Sequence, residues 1–169
     1  MRKTFLSDGI RYKAEVIKQL CSSQPVIGLL GNNPNIDLSS EEASSLMDHN
    51  IYDFNYVSKT IERADAFIMV DADMINITSG TMNAWELYVQ VVCHKTYVPL
   101  DASIFKGLSG NRLDNLTYEI DSLLNGTRLF GIGLLELSSC TTAVVPDSFS
   151  SKILTYRINE FRRERSQYD

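Results

Sequence analysis

The strongest constraint on the fold is a stretch of alternating apolar and polar residues near the middle of the chain. Every second residue from 85 to 93 is apolar, and the residues between them are mostly polar; the apolar positions are Trp85, Leu87, Val89, Val91 and Cys93. Because a strand places successive side chains on opposite faces, this pattern predicts a half-buried β-strand. The apolar run 66–70 predicts a second strand that ends at Asp71, and the short loop around residues 78–81 predicts an antiparallel hairpin.

Helical periodicity marks three segments outside this hairpin. Apolar residues recur every three or four positions across residues 8–21, which predicts an amphipathic helix. Ser39 and Ser40 before two glutamates predict a capped short helix through Met47. Asn111 caps a third helix with a leucine-rich stripe, which closes with a left-handed cap at Asn125 and Gly126. The run 26–30 fits either a helical turn or a short strand.

Two more strands complete the predicted sheet. Residues 129–137 are apolar and interrupted by glycines, and residues 154, 156 and 158 alternate with polar neighbours. The predicted fold class is therefore α+β, with a mainly antiparallel four-stranded sheet packed by helices on one face. We expect a single domain over residues 1–161, followed by a polar C-terminal tail at residues 162–169.

Composition excludes several classes of protein. The 169 residues are 44% apolar and carry a net charge of -5, which is typical of a globular chain and argues against a protein whose main task is to coat nucleic acid. Three widely spaced cysteines indicate a reducing compartment, the cytoplasm. The longest apolar runs are far shorter than the ~20 residues of a membrane span, so we expect a soluble chain with no secretion signal and no membrane partner.

The residues offer little for catalysis. Cys93 and His94 are neighbours on a strand, so their side chains point to opposite faces, which is wrong for a nucleophile and its base. Asp71 and Asp73 lie on one side of a strand end, and together with His94 they define the alternative of a small metal-dependent enzyme. We expect instead that the chain is not an enzyme and has no catalytic, cofactor-binding or metal-binding residues.

Large apolar side chains are concentrated in predicted loops on both sides of the hairpin. Loops with this much apolar surface need something to cover it, and aromatic anchors are typical of subunit interfaces. We therefore hypothesise a subunit interface formed by the segment at residues 52–57 and the loop at residues 97–112; its residues are Tyr52, Phe54, Tyr56, Tyr97, Ile104, Phe105 and Arg112.

A set of segments covers most of residues 49–161; they are 49–57, 67–71, 87–95, 110–114, 119–125, 130–137 and 154–158. Together they resemble structural proteins of the neck and tail-joining region of tailed bacteriophages, and the order of helices and strands is similar to that of tail terminator (tail completion) proteins.

The resemblance implies a structural virion protein that forms a homo-oligomeric ring, a hexamer in tail terminators, which ends the tail tube and joins tail to head. Its implied partners are other neck, tail-tube or head-connector proteins, with assembly in the host cytoplasm. Genomic DNA would pass through the lumen without specific binding, and the net charge predicts a neutral or acidic lumen. The adjacent head-completion or connector ring protein is the alternative.

Overall fold

The computed structural model describes residues 6–54, 64–79, 82–130 and 132–161. Its described helices are α1 (Leu6–Cys21), α2 (Gln24–Gly31), α3 (Glu41–Asn50) and α4 (Arg112–Leu124). Its described strands are β1 (Ile51–Tyr52), β2 (Ala66–Ser79), β3 (Met82–His94), β4 (Ile132–Thr142) and β5 (Phe149–Phe161). The predicted tail at residues 162–169 lies outside the described residues.

The strands form a single sheet in the order β1-β2-β3-β5-β4. β1 runs parallel to β2, whereas the β2–β3, β3–β5 and β5–β4 pairs are antiparallel. The α+β class and the mainly antiparallel sheet are therefore confirmed, although the sheet has five strands and not four. The additional strand is β1. It is only two residues long, which is too short to show an alternation of apolar and polar residues.

The helices begin where side chains satisfy the free backbone N–H groups of the first turn. Ser40 Oγ accepts a hydrogen bond from the Ala43 amide at 3.1 Å, and Asn111 Oδ1 accepts one from the Asp114 amide at 2.9 Å. Both predicted caps are confirmed. The open question at residues 26–30 is resolved as helix α2, which is capped by Ser23 and carries a proline in its first turn.

Two of the predicted strands have different limits in the structure. β2 continues through Asp71 to Ser79, because Asp71 and Asp73 occupy solvent-side positions of a strand that goes on alternating. β4 begins at Ile132 and runs to Thr142, five residues beyond the predicted end. At the end of α4, Gly126 has a φ of 76°, whereas Asn125 is extended, so only the glycine adopts the predicted left-handed conformation.

The main core lies between the helices and one face of the sheet, called here the helix face. α1 and α4 bury apolar side chains against it, among them Val16, Leu20, Leu116 and Ile120. Gly9 allows α1 to approach β3 closely, since a Cβ at this position would lie 2.6 Å from the Trp85 ring. The opposite face, called here the open face, carries a second cluster; its residues are Phe67, Met69, Val92 and Phe149, with Tyr52 and Val145 packed against them.

Candidate functional site

Arg112 anchors the loop at residues 95–110 to the helices. Its side chain is 2% exposed and donates three hydrogen bonds. Nε donates to the Tyr97 carbonyl at 2.8 Å, one terminal nitrogen donates to the Leu29 carbonyl, and the other donates to Asn32 Oδ1 at 2.6 Å. Leu29 lies in the last turn of α2, where carbonyls lack helical partners and carry partial negative charge. A cation at this helix end is therefore stabilising even without a carboxylate.

Aromatic rings complete the surroundings of this guanidinium. Its central carbon lies 4.0 Å from the centre of the Tyr97 ring and 5.5 Å from that of Phe105. The Tyr97 hydroxyl donates to the Leu30 carbonyl at 2.8 Å. The loop is therefore joined to helix α2 both directly and through Arg112. Burial lowers the pKa of Arg112 from its usual value and raises that of Tyr97. An arginine still stays protonated at neutral pH, because its reference pKa is so high.

These contacts correct part of the predicted interface. Phe105 is 3% exposed and Arg112 is 2% exposed, so neither offers side-chain surface to another subunit. Tyr97 is half-buried; its ring lies against the Arg112 guanidinium, and its hydroxyl bonds the Leu30 carbonyl. Ile104 is the member of the loop set that remains exposed, at 38%. The apolar loop residues that indicated an interface are therefore largely covered by this chain's own core.

The segment at residues 52–57 is divided in a similar way. Tyr52 packs against the second cluster, with its ring centre 6.4 Å from that of Phe67, and its hydroxyl donates to the His49 carbonyl at 2.6 Å. Phe54 is 48% exposed and contacts the Tyr52 ring. Tyr56 lies outside the described residues. Phe54 and Ile104 are therefore the exposed apolar residues that the predicted set retains.

The part of the open face beyond the second cluster is polar and acidic, which the sequence analysis did not detect. One cross-strand row joins four charged residues in register, and its members are Asp73, Glu86, Arg157 and Glu136. In the next row Asp71 lies opposite Tyr88. The Tyr88 hydroxyl donates to Glu86, and this bond raises the pKa of Tyr88 to about 12. Three carboxylates against one guanidinium in the first row favour a negative potential here.

The metal-site alternative does not assemble in the structure. His94 lies at the Asp65 end of the hairpin, where its amide bonds the Asp65 carbonyl at 2.9 Å. Asp73 is eight residues further along β2, roughly 26 Å away at the rise of an extended strand. Within the ranges the structure describes, no group of three or more potential ligands could hold a metal ion. The structure therefore does not bring His94 together with Asp71 and Asp73 in one site.

Cys93 faces the core as predicted, on the opposite side of β3 from His94. It is fully buried, and burial raises the pKa of its thiol to about 12. Since the thiolate is the nucleophilic form of cysteine, this thiol is unreactive at neutral pH.

A cavity of about 300 Å³ lies between α2, α4 and the loop at residues 95–110. Its lining is mostly apolar, with one glutamine, one lysine and one glutamate; the residues are Gln24, Pro25, Leu29, Pro34, Phe105, Lys106, Leu108 and Glu119. No helix within the described residues is long and apolar enough to cross a membrane.

The fold and these surfaces define a single-sheet α+β protein whose helices cover one face, while part of the opposite face is polar. The family model named YomW matches residues 23–158, which is most of the chain. This protein belongs to the YomW family.

The same fold occurs in a solved virion. A chain in the structure described as "Virion of native gene transfer agent (GTA) particle" superposes with a TM-score of 0.52 at 14% sequence identity. The match covers 89% of this chain and 94% of that chain, so the two share a fold over nearly their whole lengths. No curated protein gives a significant match to the sequence.

Proposed function

We propose that this chain is a structural virion protein that forms a homo-oligomeric ring in the neck of a phage-type particle. The observation that carries the proposal is the fold match with a chain of the gene transfer agent virion, which extends over 89% of this chain. Membership of the phage-associated YomW family supports the same role. In this role the ring ends the tail tube, joins tail to head and lets the genome pass through its lumen.

The two faces of the sheet have different places in such a ring. The helix layer is bulky and needs the larger circumference, so in the proposed ring it lies outside, and the open face lines the lumen. The acidic row from Asp73 to Glu136 then faces the passing DNA. A negative wall repels phosphates, so DNA slides without being held. This arrangement is a proposal about how copies are oriented, and it agrees with the net charge of -5.

The lumen charge is testable on isolated protein. We expect no salt-sensitive binding of duplex DNA at physiological ionic strength, measured by fluorescence anisotropy with labelled DNA. Changing Asp73 and Glu86 to lysine should create such binding, because it turns the row basic. Tight, salt-dependent binding by the unchanged protein would contradict the acidic lumen.

The neck assignment is tested with particles from a system that encodes this protein. When the protein is withheld, we expect heads and tails to accumulate separately, and electron microscopy and sedimentation measure this. Adding the purified protein back should restore joining. Recovery of the protein with isolated tails supports a tail terminator, whereas recovery with isolated heads indicates the adjacent connector ring. Normal joined particles without the protein would overturn the structural role.

A further inference from the structure

The outer edge of β4 is only partly covered. Near its beginning, the Leu135 amide donates to the Thr127 carbonyl and the Leu135 carbonyl accepts from the Gly126 amide, both at 2.8 Å. The Leu137 amide donates to Asn125 Oδ1 at 3.3 Å. Beyond Leu137 no described residue hydrogen-bonds this edge, and residues 138–142 are all exposed. The second half of β4 is therefore an open sheet edge that carries no charged side chain.

The backbone groups that this edge presents follow from the pairing with β5. The Ala143 amide donates to the Ser151 carbonyl at 3.3 Å and so points into the sheet. Because hydrogen-bond direction alternates along a strand, Thr142 and Cys140 direct their N–H and C=O groups outward. Cys140 lies opposite Leu154, whose side chain is in the main core, so the side chains of these outward residues are on the helix face.

Among the described residues, the far edge of the sheet also has a stretch with no neighbouring strand. β1 pairs only with Ile68 and Met69 of β2. Lys13 reaches this edge, because its Nζ lies 2.7 Å from the Asp53 carbonyl and 3.7 Å from Asp71 Oδ1. From Ala72 to Ser79, β2 has no described strand beside its outer edge.

The outward backbone groups of β2 belong, as in β4, to residues whose side chains lie on the helix face. The Ala66 carbonyl accepts from Asn50 Nδ2 at 2.8 Å and so points away from β3. Alternation then places the backbone groups of Ala72 and Met74 outward as well, and the Ala72 amide donates to Asp71 Oδ1 at 2.9 Å. Both residues share a face with Ile68 and Val70, which is the helix face. On both edges, the residues with outward backbone groups have their side chains on the helix face.

We propose that residues 138–142 of one copy pair, as antiparallel strands, with β2 of a second copy from Ala72 onward. This inference rests on the proposed ring. β4 is antiparallel to β2 within the sheet, so a neighbour in the same orientation presents the two edges to each other antiparallel. Cys140 is level with Val70 through Leu154 and Val89, so the neighbour is also displaced along the strand direction when residues 138–142 meet β2 from Ala72 onward. On both edges the residues with outward backbone groups carry their side chains on the helix face, so the pairing places helix-face side chains opposite one another. The contact joins two different edges, which is the heterologous type that closes rings.

An edge proline tests the backbone pairing. Thr142→Pro removes one outward N–H, whereas Thr142→Val keeps it and serves as the matched control. We expect the proline variant to require at least about tenfold more protein to assemble, corresponding to loss of roughly one hydrogen bond and its geometry, while the valine variant assembles like wild type. Thermal melts of both monomers report whether folding is preserved. Assembly of a folded proline variant at the wild-type concentration would overturn the proposal.

Disulfide trapping tests the partner strand and its face. In a Cys21→Ser background, exposed Cys140 is the native reporter, and Cys93 is buried. We expect Met74→Cys or Ala72→Cys to give oxidised ladders of dimers, trimers and higher species on non-reducing gels. Asp73→Cys, whose side chain lies on the other face, should not. Paired Cα atoms in a sheet lie within the range a disulfide spans.

The outcomes separate the edge pairing from the ring itself. Ladders from position 74 or 72, but not 73, support the pairing. Dimers linked only through Cys140 to Cys140 indicate symmetric pairing of two β4 edges and overturn it. Rings without any ladder overturn the edge pairing and leave the ring proposal standing. Monomers at every concentration that added tails or particles do not recruit, without cross-links, overturn both.

Discussion

The loop at residues 95–110 and the outer edge of β4 differ in what they leave for a partner. The loop is rich in apolar residues, but Arg112, Tyr97 and Phe105 hold it inside the protein. The end of β4 is polar and uncharged, and its exposed backbone lacks a described partner beyond Leu137. The comparison shows that apolar composition indicates where a chain packs, whereas unpaired strand backbone indicates where it can still be extended.

The largest expected effect is on the free energy of unfolding, when the contacts that hold the loop at residues 95–110 are removed. Arg112→Ala should lower the free energy of unfolding by about 3–5 kcal/mol, because it leaves two carbonyls and Asn32 without their buried donor. Arg128→Ala, at an exposed position, should change it by no more than about 0.5 kcal/mol. Urea denaturation of both variants measures the difference. Equal stability of the two variants would show that the loop is not held by Arg112.

Two adjacent residues of the loop give a sharper contrast. Phe105→Ala should cost about 3 kcal/mol, since the ring is buried in the core, whereas Ile104→Ala should cost less than about 1 kcal/mol. If Ile104 is an interface residue, its variant should assemble poorly although its melting temperature is nearly unchanged. Light scattering and thermal melts on the same samples separate these effects. A large stability loss at Ile104 would contradict its exposed position.

Tyr52 and Phe54 extend the same contrast to the other predicted segment. Truncating both to alanine should weaken assembly, as the interface hypothesis requires. Tyr52→Ala alone should also lower stability by about 1–2 kcal/mol, because its ring packs on Phe67 and its hydroxyl bonds His49. Phe54→Ala should leave the monomer nearly unchanged and is the cleaner test. Wild-type assembly by the Phe54 variant would remove this segment from the interface.

The smallest effect at neutral pH concerns the cysteines of the two regions. Cys140 on the open edge should react with iodoacetamide at pH 8, whereas Cys93 should react only after unfolding. Because the pKa of Cys93 is raised to about 12 in the folded state, its contribution to stability is complete below the unfolded pKa near 8.5 and is lost as pH rises toward 12. Cys93→Ala should flatten that alkaline decline. Rapid labelling of native Cys93, detected by mass spectrometry, would contradict its burial.

Much of the fold was predictable because periodicity reports burial directly. Alternation located β3 and β5, and caps located α3 and α4. Asp71 and Asp73 resembled a strand end, but they are solvent-side residues of a longer strand. β1 left no periodic signal, because its two residues are specified by pairing with β2.

The candidate surfaces were harder to predict because they depend on distant parts of the chain. Arg112 finds the Leu29 carbonyl 83 residues away, and no local pattern distinguishes it from a solvated arginine. The acidic row is likewise formed only when four strands align in register. An open edge depends on the order of the strands in the sheet, and the periodicity of individual strands gives no information about that order.

The most direct test of the account is the mass of the purified protein across a concentration series, measured by light scattering after size exclusion, with negative-stain imaging of any large species. We expect rings, formed in solution or on added tails. Six copies of the 19.1 kDa chain have a mass of about 115 kDa. A monomer or dimer at every concentration, which no particle recruits, would contradict it.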